Sequence, residues 1–459
     1  MLLCGIINEL EESTAGNDLV AYFFCQGTDS HLNNATAVLR GLTYMLVKQQ
    51  ESLISHVRKQ YGPDGKPLFR EVNAWVALSE ILRNMLPDPR LKNTCLIIDA
   101  LDECETDLWE LLKFISQNSS ASSCVKWIVS SRNRLDIDRH LKLQDSGLKL
   151  SLELTQNAAQ VSSAVDAYID NRISELESLQ DKHKAQIRDI LRQKANGTFL
   201  WVALVVQELQ TANSWDILDV VEEVPVGLEE LYDRMISQIQ QLKRRDPEFC
   251  QLILSALALA FRPPRLDELG VLSGLPDKVA GNMENMKNIV AMCGSILTIQ
   301  DGHVYLIHQS VKDYLVGKEG DNANDKIFPS GLANVHRAIF SRSLQAMTTL
   351  RRDIYNLRHH GRLIDDVVRP DPDPLAAVRY SCIHWVNHLC EGIANSSSAQ
   401  YHFELNDDGK VSHFLKRHFL YWLEASSLLG AMSDAVLSVT KLESLLRVSP
   451  VYSDVQDLS

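Results

Sequence analysis

The stretch that most constrains this chain is Cys95-Leu-Ile-Ile-Asp-Ala-Leu-Asp-Glu-Cys104. Leu96, Ile97 and Ile98 form a short apolar run that ends in Asp99, and Asp102 and Glu103 follow at once. A run this short and this rich in Ile predicts a strand buried on both faces of a parallel sheet. Acids released at the carboxyl end of such a strand sit where open α/β sheets bind ligands. Three carboxylates there are costly unless they meet a cation or a water to activate. Mg²⁺ carried by a nucleotide suits them, because it takes one or two carboxylates plus phosphate oxygens. Asp99 would then hold the metal through water, and Asp102 or Glu103 would orient an attacking water. The plainer reading is a buried strand followed by a helix start, where Asp102 and Glu103 favour the helix dipole. From this stretch alone the two readings are equal.

The surroundings supply a pattern of strands alternating with helices. Residues 1–12 read as a helix with Leu2, Leu3, Ile6, Ile7 and Leu10 on one side. Leu19 to Cys25 reads as a buried strand, Asn34 to Val47 as a helix, and Trp75 to Leu86 as a helix stopped by Pro87 and Pro89. The acid-tipped strand is followed by a helix near Leu108 to Ile115, a polar loop over Asn118 to Ser123, and strands at Lys126 to Ser130 and Leu148 to Leu154. Such alternation predicts a parallel α/β sheet.

Beyond about residue 157, strand patterns vanish until Ile296. Helices are expected over Val161 to Ile173, His183 to Lys194 and Phe199 to Leu209, with another opening at Gly227. Further helices read at Cys250 to Ala260, Leu266 to Ser273 and Ala280 to Met292. Ile296 to Ile307 reads as a hairpin on an Asp-Gly turn. Three helices and a hairpin make a winged helix, but Gly281 to Val290 offers one Lys and one Glu, too little positive charge for a phosphate backbone. Residues 320–326 read as a polar loop, and helices follow near 331–348, 375–391, 411–424 and 426–447.

Composition narrows the function. The 46 basic against 59 acidic side chains leave a formal charge of −13, which disfavours nucleic acid as a partner. No stretch approaches the length of a membrane span, and the start runs straight into Asn8-Glu-Leu-Glu-Glu12 without a basic leader. Nine scattered cysteines with no Cys-x-x-Cys argue for reduced thiols in a cytoplasmic protein, not a disulfide frame or zinc site.

The string of three apolar residues followed by Asp99-Ala-Leu-Asp-Glu103 resembles the Walker B motif of the NACHT family of signalling NTPases. Lys126-Trp-Ile-Val-Ser-Ser-Arg132 resembles that family's next strand, whose terminal Arg senses the γ-phosphate. Lys194-Ala-Asn-Gly-Thr-Phe-Leu-Trp201 resembles a helix start in the helical subdomain that follows, and Val304 to Asp313 resembles the end of the winged-helix subdomain. Tyr380-Ser-Cys-Ile-His-Trp385 and His418 to Glu424 resemble the helical spacer that precedes WD40 or ankyrin repeats in fungal members. The group that this order of motifs most resembles is the fungal NACHT proteins of the heterokaryon-incompatibility kind, related to STAND and NLR-like receptors.

That resemblance implies an α/β P-loop NTPase-type sheet, then an α-helical subdomain, a winged helix and an α-helical spacer, with bounds 1–156, 157–244, 245–320 and 321–459. It implies ATP or GTP with Mg²⁺ as ligand, with Asp99 at the metal and Asp102, Glu103 and Arg132 at the chemistry. Gly197 and Phe199 would lie near the base, and His308 would reach the nucleotide's phosphate. Taken alone, Gly197 reads as a plain helix start and His308 as a satisfied core or capping histidine. One departure is large. No Gly-x-x-x-x-Gly-Lys-[Ser/Thr] occurs in the sequence, and Met1 to Asn8 resembles the helix that follows that loop. The expectation is therefore a NACHT module lacking its first strand and phosphate loop, with weak or no nucleotide binding, and protein partners in a homo- or hetero-oligomer with related proteins. The alternative is a non-enzymatic adaptor or regulator that binds full-length relatives.

Overall fold

The computed structural model describes residues 2–13, 18–60, 74–119, 122–132, 134–141, 155–175, 181–213, 215–317, 322–358, 366–394 and 409–448. The chain divides into two compact units, Met1–Ser151 and Leu152–Ser459.

The first unit is built on a parallel sheet of three strands in the order β1 (Leu19–Phe24), β2 (Thr94–Asp99) and β3 (Val125–Val129). Among the described residues the helices of this unit are α1 (Leu2–Ser13), α2 (Ala35–Gln49), α3 (Ile54–Gln60), α4 (Ala74–Met85), α5 (Leu108–Asn118) and α6 (Leu135–Leu141). Ile98 of β2 stands between Phe23 and Val129. Side chains alternate across the sheet. Leu19, Ala21, Leu96 and Ile98 pack with α2, α4 and α5, while Val20 and Ile97 meet Leu3 and Ile7 of α1. Leu96, Ile97 and Ile98 are thus buried from both sides, as the apolar run predicts. Each such burial stabilises by about 1.5–3 kcal/mol relative to exposure. The expected strand Leu148 to Leu154 lies outside the described residues.

Among its described residues the second unit is helical except for one hairpin. Helices Thr155–Ser174, Asp181–Ala195, Phe199–Thr211, Ile217–Glu223 and Leu228–Gln240 come first. Asp246–Ala258, Leu266–Ser273, Asp277–Ala280 and Met283–Met292 follow, then β4 (Leu297–Gln300) and β5 (His303–Leu306). Asp301 and Gly302 both take positive φ at the hairpin tip, 49° and 77°, the conformation that the Asp-Gly pair favours. The unit closes with Gln309–Val316, Asn322–Ile327, Leu332–Met347, Arg379–Ala394, Lys410–Leu428 and Met432–Val448.

Three expectations need correction. The helix expected over Ala280 to Met292 is two helices, because the Asn282 side chain accepts from the Glu284 and Asn285 amides and caps a new start. The polar stretch 320–326 carries the helix Asn322–Ile327, tied down by Asn324, which donates to the Val316 carbonyl at 3.3 Å. The break expected at 425 falls instead after Leu428, where Gly430 takes φ 68°.

Candidate functional site

The carboxyl ends of the three strands gather the acids. Strand β2 leaves the sheet at Ala100, a non-glycine residue in the left-handed region (φ 52°, ψ 51°), and turns at once into the short 3₁₀ segment Leu101–Glu103. Holding an L-residue there costs roughly 1–2 kcal/mol, so the surroundings must fix it. They do so from β3. The Ser130 amide donates to the Ile98 carbonyl at 2.9 Å, and the Leu101 amide donates to the Ser130 carbonyl at 2.8 Å.

Each acid then has a distinct contact. Asp99 accepts the Ser130 hydroxyl at 2.5 Å, and the same hydroxyl oxygen accepts the Ala100 amide at 2.9 Å. Asp102 accepts the Arg132 amide at 2.9 Å, and the Arg132 guanidinium lies 3.4 Å from its other oxygen. Glu103 accepts the Gly27 amide at 2.9 Å, reaching the loop after β1. Asn33 fastens that loop to the next turn: its side chain donates to Glu105 at 3.0 Å and its carbonyl accepts the Glu105 amide at 2.7 Å. The structure therefore brings Asp99, Asp102, Glu103 and Arg132 together, with the acids bridging β2 to both neighbours.

Two buried thiols lie beside them. Burial, the Cys104 thiol and then the Glu103, Asp99 and Asp102 carboxylates push the Cys25 thiol up. Burial, followed by the Asp107 and Glu105 carboxylates, raises Cys104 to about 12. Both shifts favour the neutral thiol over the thiolate.

A hard divalent cation suits what remains. Among the described residues no group of three or more His, Cys, Asp or Glu side chains is placed to hold a metal by itself. Mg²⁺ needs no such cage, because it keeps several waters and takes one or two carboxylates with phosphate oxygens. Asp99 offers that chemistry, with one oxygen held by a neutral hydroxyl.

The other residues singled out from the sequence belong to the second unit. Gly197 takes φ 73° after Asn196 at φ 45°, so the pair makes the sharp reversal between helices Asp181–Ala195 and Phe199–Thr211. Phe199 sets its ring edge-on to Tyr168, with centroids 5.7 Å apart. The rest of that motif is structural. Lys194 donates to the carbonyls of Val221, Glu222 and Val224 at 3.0, 2.6 and 2.8 Å, closing the end of helix Ile217–Glu223. The wholly buried Trp201 donates to the Pro225 carbonyl at 3.1 Å. His308 caps helix Gln309–Val316: its Nδ1 accepts the Ser310 amide at 3.1 Å, which places the ring proton of the neutral form on Nε2.

The roles of Ser130, Gly27, Asn33 and Lys194 were not read from the sequence, although Ser130 and Lys194 stand inside motifs quoted above. Ser130 follows β3, and only the pairing of Ile98 with Val129 shows that it stands level with Asp99.

Comparison with known proteins agrees with the motifs. A family model described as Nephrocystin 3, N-terminal, matches residues 1–132, the span that carries all three strands and Arg132. Over 97% of its length the chain is 50% identical to the vegetative incompatibility protein HET-E-1 of Podospora anserina. It is a relative of that protein. This is the fungal incompatibility kinship of NACHT type that the ordered motifs resemble. The chain spans 34% of the length of HET-E-1. No helix among the described residues is long and apolar enough to cross a membrane.

Proposed function

We propose that the chain is the nucleotide-switch module of an incompatibility-type signalling protein of the NACHT class. The first unit would be the nucleotide-binding part. Residues 157–244, 245–320 and 321–459 would be its helical, winged-helix and spacer parts. The observation that supports this best is the acid cluster on β2, in a chain that shares half of its residues with HET-E-1.

Mg²⁺ would be held by Asp99 through water and would neutralise charge on the phosphates of ATP or GTP. Arg132 rests on Asp102 in the structure, and a γ-phosphate would compete for that guanidinium. Asp102, so released, or Glu103 would orient water. Gly197, Phe199 and His308 are the proposed contacts to the rest of the nucleotide. Binding would bias a two-state opening and association with related proteins in the cytoplasm.

These 459 residues hold no Gly-Lys-Ser or Gly-Lys-Thr loop, whose amides and Lys supply most of the grip on a triphosphate. The chain alone therefore binds Mg-ATP only weakly, with a dissociation constant of roughly millimolar order, and hydrolyses it negligibly. Isothermal calorimetry with Mg-ATP checks this. Heat that fits millimolar or weaker binding is expected; micromolar binding lost in Asp99→Asn overturns the weak-binding statement.

One observation favours a second reading. Asp102 and Glu103 both hold backbone amides, at 2.9 Å each, and so act as staples between loops. A chain using its acids only in this way would be a non-enzymatic adaptor. It would co-purify with a full-length relative whether or not Asp102 and Glu103 were changed to Asn and Gln.

A further inference from the structure

We infer that Ser130 is a positioning residue that sets the Asp99 carboxylate for a divalent cation. The inference rests on reading Asp99 as the metal-holding group. Regular pairing of β2 with β3 ends at Ile98 and Val129, and Ser130 is the next residue. Its backbone is clamped on both sides, to Ile98 and to Leu101. The clamped backbone fixes where the side chain starts, and the two hydrogen bonds of the hydroxyl select its rotamer.

The hydroxyl then does two things at once. It takes the amide hydrogen of Ala100, a residue whose left-handed turn withdraws that amide from the ladder. Its own hydrogen goes to Asp99 Oδ1 at 2.5 Å. That direction is forced, since an ionised carboxylate only accepts. With Oδ1 held, the plane of the carboxylate is set and Oδ2 is the oxygen left for a metal-bound water.

Charge separates Asp99 from its neighbours. Asp102 is partly neutralised by the Arg132 guanidinium at 3.4 Å, and Glu103 is committed to the Gly27 amide. Serine is neutral, so Asp99 is oriented without losing its charge. Of the three acids it is the one prepared for a cation. Alanine at 130 would supply neither hydrogen bond, whereas threonine would supply both.

The test is a titration with Mn²⁺ and ATP, followed by the relaxation of water protons, which reads millimolar affinities. Wild type, Ser130→Ala, Ser130→Thr and Asp99→Asn are compared, each with a thermal melt. Asp99→Asn is expected to remove the binding. Ser130→Ala is expected to weaken it about tenfold, as changes behind a metal-holding side chain do. Ser130→Thr is expected to restore it. If Ser130→Ala binds like wild type while Asp99→Asn does not, Asp99 keeps its role and the inference about Ser130 falls. If threonine fails to restore binding in a protein that melts like wild type, the hydroxyl is not the agent and the inference also falls. If Asp99→Asn binds like wild type, the reading of Asp99 and the inference fall together.

Discussion

Two polar clusters, one in each unit, are built on opposite principles. At the end of β2 the acids lie at the rim of a sheet, and Arg132 keeps 52% of its side chain exposed. In the second unit Arg262, Glu268, Tyr380, His388 and His336 form a sealed chain. Glu268 is wholly buried and accepts both Arg262 guanidinium nitrogens at 2.8 and 2.6 Å, with the Arg265 and Tyr380 amides on the same carboxylate. The Tyr380 oxygen accepts the Phe261 amide at 3.0 Å and lies 2.9 Å from His388 Nε2. His388 Nδ1 lies 2.9 Å from His336 Nδ1. One proton arrangement gives the tyrosine hydrogen an acceptor in this chain. Tyr380 donates to His388 Nε2, and His388 donates to His336. A buried cluster whose members satisfy one another is architecture, whereas a cluster that keeps a charged oxygen available is a candidate site.

The sharpest way to break this contrast is to remove one charge from each cluster. Glu268→Gln leaves Arg262, 13% exposed, without its counter-charge and should cost about 4 kcal/mol of stability. A urea midpoint near wild type would show that the sealed cluster is dispensable. Next comes pH. Burial, then Lys312, lowers His336 from 6.5 to about 4, and burial holds His388 well below its ordinary value, with His336, His384 and Arg342 adding to it. Both are neutral in the folded state. The unfolded chain takes up protons below pH 6.5, where the folded chain does not. Stability from this pair is therefore whole above pH 6.5 and falls as the pH drops from 6.5 towards 4. His336 alone accounts for about 3 kcal/mol of that loss. Urea midpoints at several pH values should show a flatter acid limb in His336→Gln than in wild type.

Smaller effects follow. Lys194→Met frees three carbonyls at a helix end and should cost about 2 kcal/mol. No change in its melt would remove Lys194 from the fold. Arg132→Gln removes a guanidinium that is half exposed and lies 3.4 Å from Asp102, and should change stability by less than about 1 kcal/mol. A larger loss would make the rim cluster as structural as the sealed one.

What was legible in the sequence follows the same division. The apolar run before Asp99 and the Asp301-Gly302 turn are local signals, and both fold as their residues dictate. The order of motifs pointed to the incompatibility kin that the comparison returns. Ser130 stayed hidden because its role depends on strand register, which links residues 31 apart. The Glu268 cluster stayed hidden because Tyr380 lies 112 residues further along the chain. The split at Asn282 was written in a cap residue, but the apolar spacing ran through it and masked it.

The most direct test of the central claim is to measure Asp99→Asn twice, once for Mn²⁺-ATP affinity and once for unfolding. If the rim cluster serves a nucleotide-bound metal, binding is lost while the unfolding free energy moves by less than about 1 kcal/mol. Unchanged binding together with a loss of several kcal/mol would contradict the account and make Asp99 a structural acid.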